Sequence, residues 1–438
     1  MNTLVHVLAL FAVLLWNTIW ATSADREPKK WALLIAGSNG FDNYRHQADV
    51  CHAYQILRKH GIPEDNIVTL MYDDIAHNSY NPYPGKIFNS PKKDDVYAGV
   101  KIDYKGDDVN AQVFIDVLTG NKSGVAHAGN GRVIESDHND HVFIYYTDHG
   151  ATGIIGMPAG DPLTKADLWN GLDYMYNNKR YGKLVFYLEA CESGSMFEGF
   201  PANREVYVMT ASNPDESSWA VYCDQSDLPC LGDEFSVNWM EDSENNNVNA
   251  ETLKKQYSDT KKATKQSHVS KYGDFDFLTE AVGDFQGERC EKARTSSFVE
   301  SEHAWAVQDI PIRELEKRIQ FATSSEIREG LRLQLQEIKE KREKVANLYF
   351  SIAKKVIGCA PEILSDVVSV RPKTLTQLKC HNEVVHTFDK ECLLFSKNPF
   401  VFHHAFILAN LCELLKSSDR IVAAITEECA GINLTNVV

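Results

Sequence analysis

The chain has 438 residues, 43% of them hydrophobic and 10% aromatic, with a formal net charge of −16. That length predicts two or more folding units, each able to bury a core. Residues 1–288 hold 24 basic and 41 acidic groups, a balance of −17, while residues 289–438 hold 21 and 20, a balance of +1. An acidity confined to one part excludes nucleic acid as a partner and makes the C-terminal part an electrostatic match for an acidic face, unless the charges only keep the chain soluble.

In chain order, the first element is an apolar run from Leu8 to Trp16, followed by small residues at Thr22-Ser23-Ala24, which predicts a signal peptide over residues 1–24. Its leading residues carry His6 but no Lys or Arg, so a signal anchor is the alternative, against which the short run argues. No later stretch approaches the ~18 apolar residues of a membrane span. Entry into the secretory pathway agrees with glycosylation sequons at Asn121 and Asn433, and ten cysteines in an oxidising compartment imply disulfides.

From residue 31 to about 231, strand-length apolar runs occur at Trp31–Ala36, Asn66–Tyr72, His141–Tyr146, Leu184–Leu188 and Glu205–Thr210. Amphipathic helical stretches lie between them, such as Ala48–His60 and Lys165–Asn177. The pattern predicts an α/β unit over 25–288 whose mostly parallel sheet is covered on both faces, with chemistry at the carboxyl ends of its strands. Those ends carry Gly37-Ser38-Asn39-Gly40, Thr147-Asp148-His149-Gly150 and Glu189-Ala190-Cys191-Glu192.

Residues 289–310 lack periodicity and read as a linker. From Pro311 the period becomes helical: Ile312, Leu315 and Ile319 share a face, Thr323 to Glu326 has capping-box spacing, and Ile327, Leu331, Leu335, Ile338, Val345, Leu348 and Ile352 form a stripe. The expected organisation is a linker and activation segment over 289–345 and an all-helical part over 346–438.

Cys191 and His149, at the ends of neighbouring strands, pair a nucleophile with a base. A thiol of pKa ~8.5 needs a nearby imidazolium to stand as thiolate in acid. Gly150 lets the backbone turn and offer its N–H, which with that of Cys191 forms an oxyanion hole. From spacing alone, an inert buried cysteine beside an unrelated histidine explains the pair equally well.

The segments TDHG and EACESGS, with AGSNGFDNYRHQADVCHAYQIL, MYDDIAHNSYNPYPGKIFN and LGDEFSVNWMED, resemble the legumain family of caspase-like cysteine peptidases from about Trp31 to the C-terminus. The resemblance implies a caspase-like sheet and a zymogen whose C-terminal helical prodomain covers the cleft until acid releases it. It implies Cys191 as nucleophile, His149 as base, Asn43 as the residue orienting that base, and Asp148 as a succinimide-forming aspartate. An asparagine side chain presents a carbonyl and an amide, so its pocket needs donors on one side and acceptors on the other. The matched positions supply Arg45 and His46 as donors, Glu189 and Asp233 as acceptors, and Ser217 beside them. Cleavage is therefore expected after Asn, and after Asp only at low pH.

Implied partners are protein and peptide substrates with Asn before the scissile bond and cystatin-type inhibitors, acting on a monomer in a lysosome, endosome or other acidic lumen. Asparaginyl ligation and a GPI-transamidase-like subunit are the alternatives. Cys223 and Cys230 flank a short loop and are expected to pair, and Cys51 reads as a buried free thiol. Four tail cysteines allow three pairings, of which the family pattern implies Cys380–Cys412 and Cys392–Cys429. Cys290 and Cys359 are unassigned. Phe321 to Ser324 stand where relatives carry a cleaved asparagine, so Asp309 is the expected activation cleavage, with Asn347 second. His138 and His141 lack the company of a metal site, and no metal or cofactor is indicated.

Overall fold

The computed structural model of the chain describes residues 26–288, 304–372, 374–432 and 434–438. The expected signal segment 1–24, Cys290 and the sequon residue Asn433 lie outside the described residues.

The first unit alternates β1 (Lys30–Ala36), α1 (Tyr44–Lys59), β2 (Ile67–Leu70), α2 (Ala111–Thr119), β3 (His141–Thr147), α3 (Lys165–Asn177), β4 (Lys183–Glu189), β5 (Val206–Thr210), β6 (Trp219–Val221), β7 (Gly232–Asp233), α4 (Glu234–Asn245), α5 (Leu253–Ala263) and β8 (Ser270–Gly273). Six strands form the main sheet in the order β8-β5-β4-β3-β1-β2, parallel except for β8, which pairs antiparallel with β5. A pleated strand alternates its side chains between faces. Accordingly, Leu33 and Ile35 of β1 join α2 and α3 in one core, and Ala32 and Leu34 join α1 and α4 in the other. With both faces covered, the strands have to be continuously apolar, which is the pattern the sequence displays.

Asn110 caps α2, its side chain accepting from Val113 N, and Gly120 ends that helix at φ 74° in the left-handed region that favours glycine. Thr164 caps α3 in the same way, accepting from Asp167 N.

The remaining chain comprises β9 (Trp305–Ala306), α6 (Ile310–Phe321), α7 (Ser325–Ile357), α8 (Pro361–Ser369), α9 (Leu378–Glu391), α10 (Phe406–Leu415) and α11 (Asp419–Glu428). Disulfides join Cys380 to Cys412 and Cys392 to Cys429, tying α9 to α10 and to the end of α11, and a third joins Cys223 to Cys230. Cys51 is a buried free thiol and Cys359 an exposed one.

Three details differ from the sequence reading. The linker is not wholly irregular, because Trp305–Ala306 forms a strand against β6, two residues being too few to display a period. Ser324 rather than Thr323 caps α7, its hydroxyl accepting from Ile327 N at 3.1 Å. The boundary expected between 345 and 346 falls inside the unbroken 33-residue helix α7. Only the second half of that helix, from Val345, enters the helical core, which also takes in Ala151 and Ile154 of the first unit.

Candidate active site

Thr147 of β3 and Glu189 of β4 are register partners, and Asp148 N donates to Glu189 O at 3.0 Å. His149 and Cys191 each stand two residues beyond that pair, so parallel pairing alone brings them to one edge. Gly150 lies against the Cys191 backbone: a Cβ there would meet Cys191 O at 2.5 Å and Ala190 Cβ at 2.9 Å, so only glycine fits.

Asn43 Nδ2 donates to Asn39 O at 2.9 Å, which leaves Asn43 Oδ1 to accept from His149 Nε2 at 2.8 Å. The proton therefore resides on Nε2, and Nδ1 is the basic nitrogen. The thiol does not bond the imidazole. Cys191 Sγ accepts from Ser218 N at 3.3 Å and lies 3.5 Å from Ser218 Oγ. Burial lowers the His149 imidazole to about 3 and raises the Cys191 thiol to about 11. The expected thiolate–imidazolium pair is thus absent from the covered state, because desolvation disfavours both charges.

The cover accounts for that burial. Val307 N donates to Ser218 O at 3.2 Å, β9 pairs antiparallel with β6, and Trp305, Val307 and Ile310 pack with Cys191. Phe402 stacks on His149 with centroids 6.4 Å apart. Arg342 of α7 donates to Gln308 O at 2.7 Å and to Val438 O at 2.8 Å and lies over the Phe400 ring. What remains beside Cys191 is a cavity of about 40 Å³.

Beside it, a 450 Å³ cavity is lined by Arg45, Asp148 and His149. Arg45 Nε donates to Asp233 Oδ1 at 2.9 Å, and Ser236 donates to Glu189 Oε2 from its N–H and its hydroxyl at 3.0 and 2.9 Å. Arg45 Nη2, Glu189 Oε1 and Asp233 Oδ2 are buried without hydrogen-bond partners. Buried polar groups are ordinarily satisfied, so one spare donor and two spare acceptors are the complement of a primary amide.

Burial raises the carboxyls of Glu189 and Asp233, with Arg45 opposing it at Asp233. His46 Nδ1 lies 2.6 Å from Ser38 Oγ, and burial keeps this imidazole well below its usual range, so His46 is no second cation. The Asp148 carboxyl, likewise raised by burial, lies in a slot where a Cβ on Gly37 or Gly156 would strike it. Ser217 lines the cavity beside Cys191, donating to Gln308 Oε1 at 2.6 Å.

Sequence reasoning missed Ser218, Asp49, Glu192 and the cover residues. Asp49 was within reach: it lies one turn from Arg45 on α1, accepts from Asn89 at 2.7 Å, and takes the Asp233 N–H at 3.3 Å. Asp309 stands at the N-terminal boundary of α6 without a side-chain capping bond and lines neither cavity. Asn121 donates to Asp116 Oδ1 at 2.7 Å on an exposed turn. His141 stacks on Phe285, with its Nδ1 2.9 Å from Asp284 O.

The geometry describes a covered cysteine–histidine site, and two family models match the chain. The Peptidase C13 family matches residues 30–288, and the legumain prodomain matches residues 333–429. The chain belongs to the peptidase C13 family. Legumain of Rattus norvegicus is 42% identical over 407 residues, covering 92% of each chain. Hemoglobinase of Schistosoma mansoni is 38% identical over 432 residues, 98% of each. The vacuolar-processing enzyme delta-isozyme of Arabidopsis thaliana is 39% identical over 434 residues, 93% of this chain and 92% of that one.

This C13 peptidase is a legumain-type asparaginyl endopeptidase, a cysteine peptidase made with its inhibitory prodomain and acting on protein substrates. The prodomain match sets aside the GPI-transamidase-like reading. Among the described residues no helix is long and apolar enough to cross a membrane, and the three disulfides accord with folding in the secretory pathway.

Proposed function

We propose that the chain hydrolyses the bond after asparagine through a thioester on Cys191. Sγ attacks the scissile carbonyl carbon while its proton passes to His149 Nδ1, and the N–H groups of Gly150 and Cys191 hold the oxyanion. The C–N bond breaks as His149 returns the proton to the leaving amine. Water, deprotonated by His149, then cleaves the thioester and releases the acid.

The observation that carries the substrate assignment is the set of three unpartnered atoms: Arg45 Nη2 suits the asparagine carbonyl, and Glu189 Oε1 and Asp233 Oδ2 suit its amide. An ionised aspartate would face those carboxylates, so aspartate is accepted only when protonated.

The helical part holds the enzyme latent in an acidifying lumen until it is released. Asp309 is the cleaved residue, and since it stands at the start of α6 outside both cavities, its peptide has to unfold from that helix or be cut by another molecule. The experiment is to hold the full chain at pH 4, map the new termini by mass spectrometry, and assay Asn and Asp peptides across pH with Cys191→Ala as control. Equal cleavage of both peptides at pH 6.5 contradicts the assignment.

A further inference from the structure

The connection between α8 and α9 crosses the first unit next to the nucleophile, and two of its side chains are anchored there. Arg371 Nε donates to Glu192 Oε1 at 2.8 Å, with its guanidinium over the Phe406 ring. Glu192 directly follows Cys191, is 4% exposed, adopts φ 52°, and has its second oxygen fixed by Thr152 Oγ1 at 2.6 Å. A non-glycine residue in the left-handed region costs energy, so this carboxylate is held in place instead of lying where the backbone prefers.

Four residues further on, Leu375 is 4% exposed and lies over Gly153, where an added Cβ would meet Leu375 Cδ2 at 2.3 Å. Gly153 is itself fixed: its N–H donates to Ser195 Oγ at 2.8 Å and its carbonyl accepts from Lys165 N at 2.8 Å. Lys165 Nζ bonds Glu198 O at 2.8 Å and reaches Leu375 O at 3.4 Å. The first unit therefore supplies a carboxylate, an apolar floor and a cation aimed at a peptide carbonyl, all built on its own rigid elements. None of the three has a part in the cleavage chemistry.

We infer that Glu192, Gly153 and Lys165 form a peptide-binding subsite in the released enzyme, selective for a cationic side chain with an aliphatic side chain four residues after it. Arg371 and Leu375 occupy it in the full chain and are the template for the substrate segment that replaces them. The inference rests on the proposed release of the helical part and deepens it, because it gives the enzyme a second criterion besides the asparagine. A carboxylate prepared for a guanidinium and then uncovered is a strong discriminator, since charge-assisted hydrogen bonds are about twice as strong as neutral ones.

The test uses a fluorescein-labelled heptapeptide with the sequence of residues 370–376, Val-Arg-Pro-Lys-Thr-Leu-Thr, which contains neither Asn nor Asp and so is not cut after either. It is titrated by anisotropy against acid-activated enzyme freed of the helical part by gel filtration. Replacing its arginine by norleucine is expected to weaken binding about tenfold or more, and replacing its leucine by serine is expected to weaken it as well. In Glu192→Gln enzyme the arginine and norleucine peptides should bind alike.

Equal binding of those two peptides to the wild type, or a preference that survives Glu192→Gln, overturns the inference. Binding of the norleucine peptide by Glu192→Gln as by the wild type excludes misfolding as the cause of a lost preference. Anisotropy needs no turnover, so an enzyme that fails on Asn peptides yet discriminates arginine from norleucine would refute the proposed cleavage and leave this subsite standing.

Discussion

Arg45 and Asp233 form an ion pair at 2.9 Å in which each side chain is 1% exposed. Asp49 and Glu189 act on the same Asp233 carboxylate, so one guanidinium faces an acidic group of three. Removing one partner of a buried pair leaves uncompensated charge and costs roughly 3–5 kcal/mol. Arg45→Met should lose about that much in urea denaturation at pH 6 as well as losing Asn cleavage. A variant as stable as the wild type would mean that the pair lies in a solvated setting.

Asparagine and aspartate cleavage should diverge with pH. The substrate carboxyl titrates near ~3.9, so the ratio of kcat/KM for Asp over Asn peptides should fall roughly tenfold per pH unit above it. Paired peptides assayed from pH 4 to 7 measure the slope, and a flat ratio would show that Glu189 and Asp233 do not exclude the anion.

Cys191 should be silent while covered. With Cys191 held at about 11 and packed against Trp305, Val307 and Ile310, iodoacetamide should label it slowly in the full chain at neutral pH. Labelling should rise by orders of magnitude after acid release, as peptide mass spectrometry at Cys191 would measure. Fast labelling of the covered form contradicts the desolvated geometry.

His381 should help to set the pH of release. It is buried between Gly153 and Lys165 with Nε2 unpartnered, and burial, Lys165 and His386 hold it down to about 3. A histidine depressed in the docked state stabilises docking above its free value of ~6.5 and loses that contribution as pH falls. At pH 4.5 the cost is on the order of 2–3 kcal/mol. His386, raised by Asp167 and Asp161, works in the opposite sense. His381→Gln should therefore move the midpoint of release to lower pH in gel filtration, and an unchanged midpoint removes His381 from the trigger.

Activation should leave a terminus after Asp309. Asp309→Ala should lack the 309/310 cut at pH 4, and a cut made by other molecules should quicken with protein concentration. Normal processing of Asp309→Ala refutes the assignment.

Much of this was legible because the main sheet is buried on both faces. Continuous apolar runs betrayed its strands, and the polar residues that end them were conspicuous by contrast. Cys191 and His149 emerged in that way before any family was considered. The charge states did not, since a thiol is protonated or ionised according to what covers it, and the covering residues lie more than a hundred positions away at 305–311 and 399–403. Arg371 on Glu192 and Arg342 on Gln308 were hidden for the same reason: each is a lone arginine in a chain with many charges. The strand at Trp305 was too short to carry a period.

The pairing of β9 with β6 bears on what the released enzyme can cut. When residues 304–309 depart, β6 becomes an edge whose Ser218 carbonyl and neighbouring ladder groups face solvent. A helical or tightly turned segment has already satisfied its own backbone and has nothing to offer such an edge. Extended loops and unfolded chains do, so the accessible asparagines of a folded protein should be cut in order of how readily their surroundings open, not by exposure alone. The same bare edge can pair with that of another enzyme molecule, so the mature form should be most prone to associate when substrate runs out.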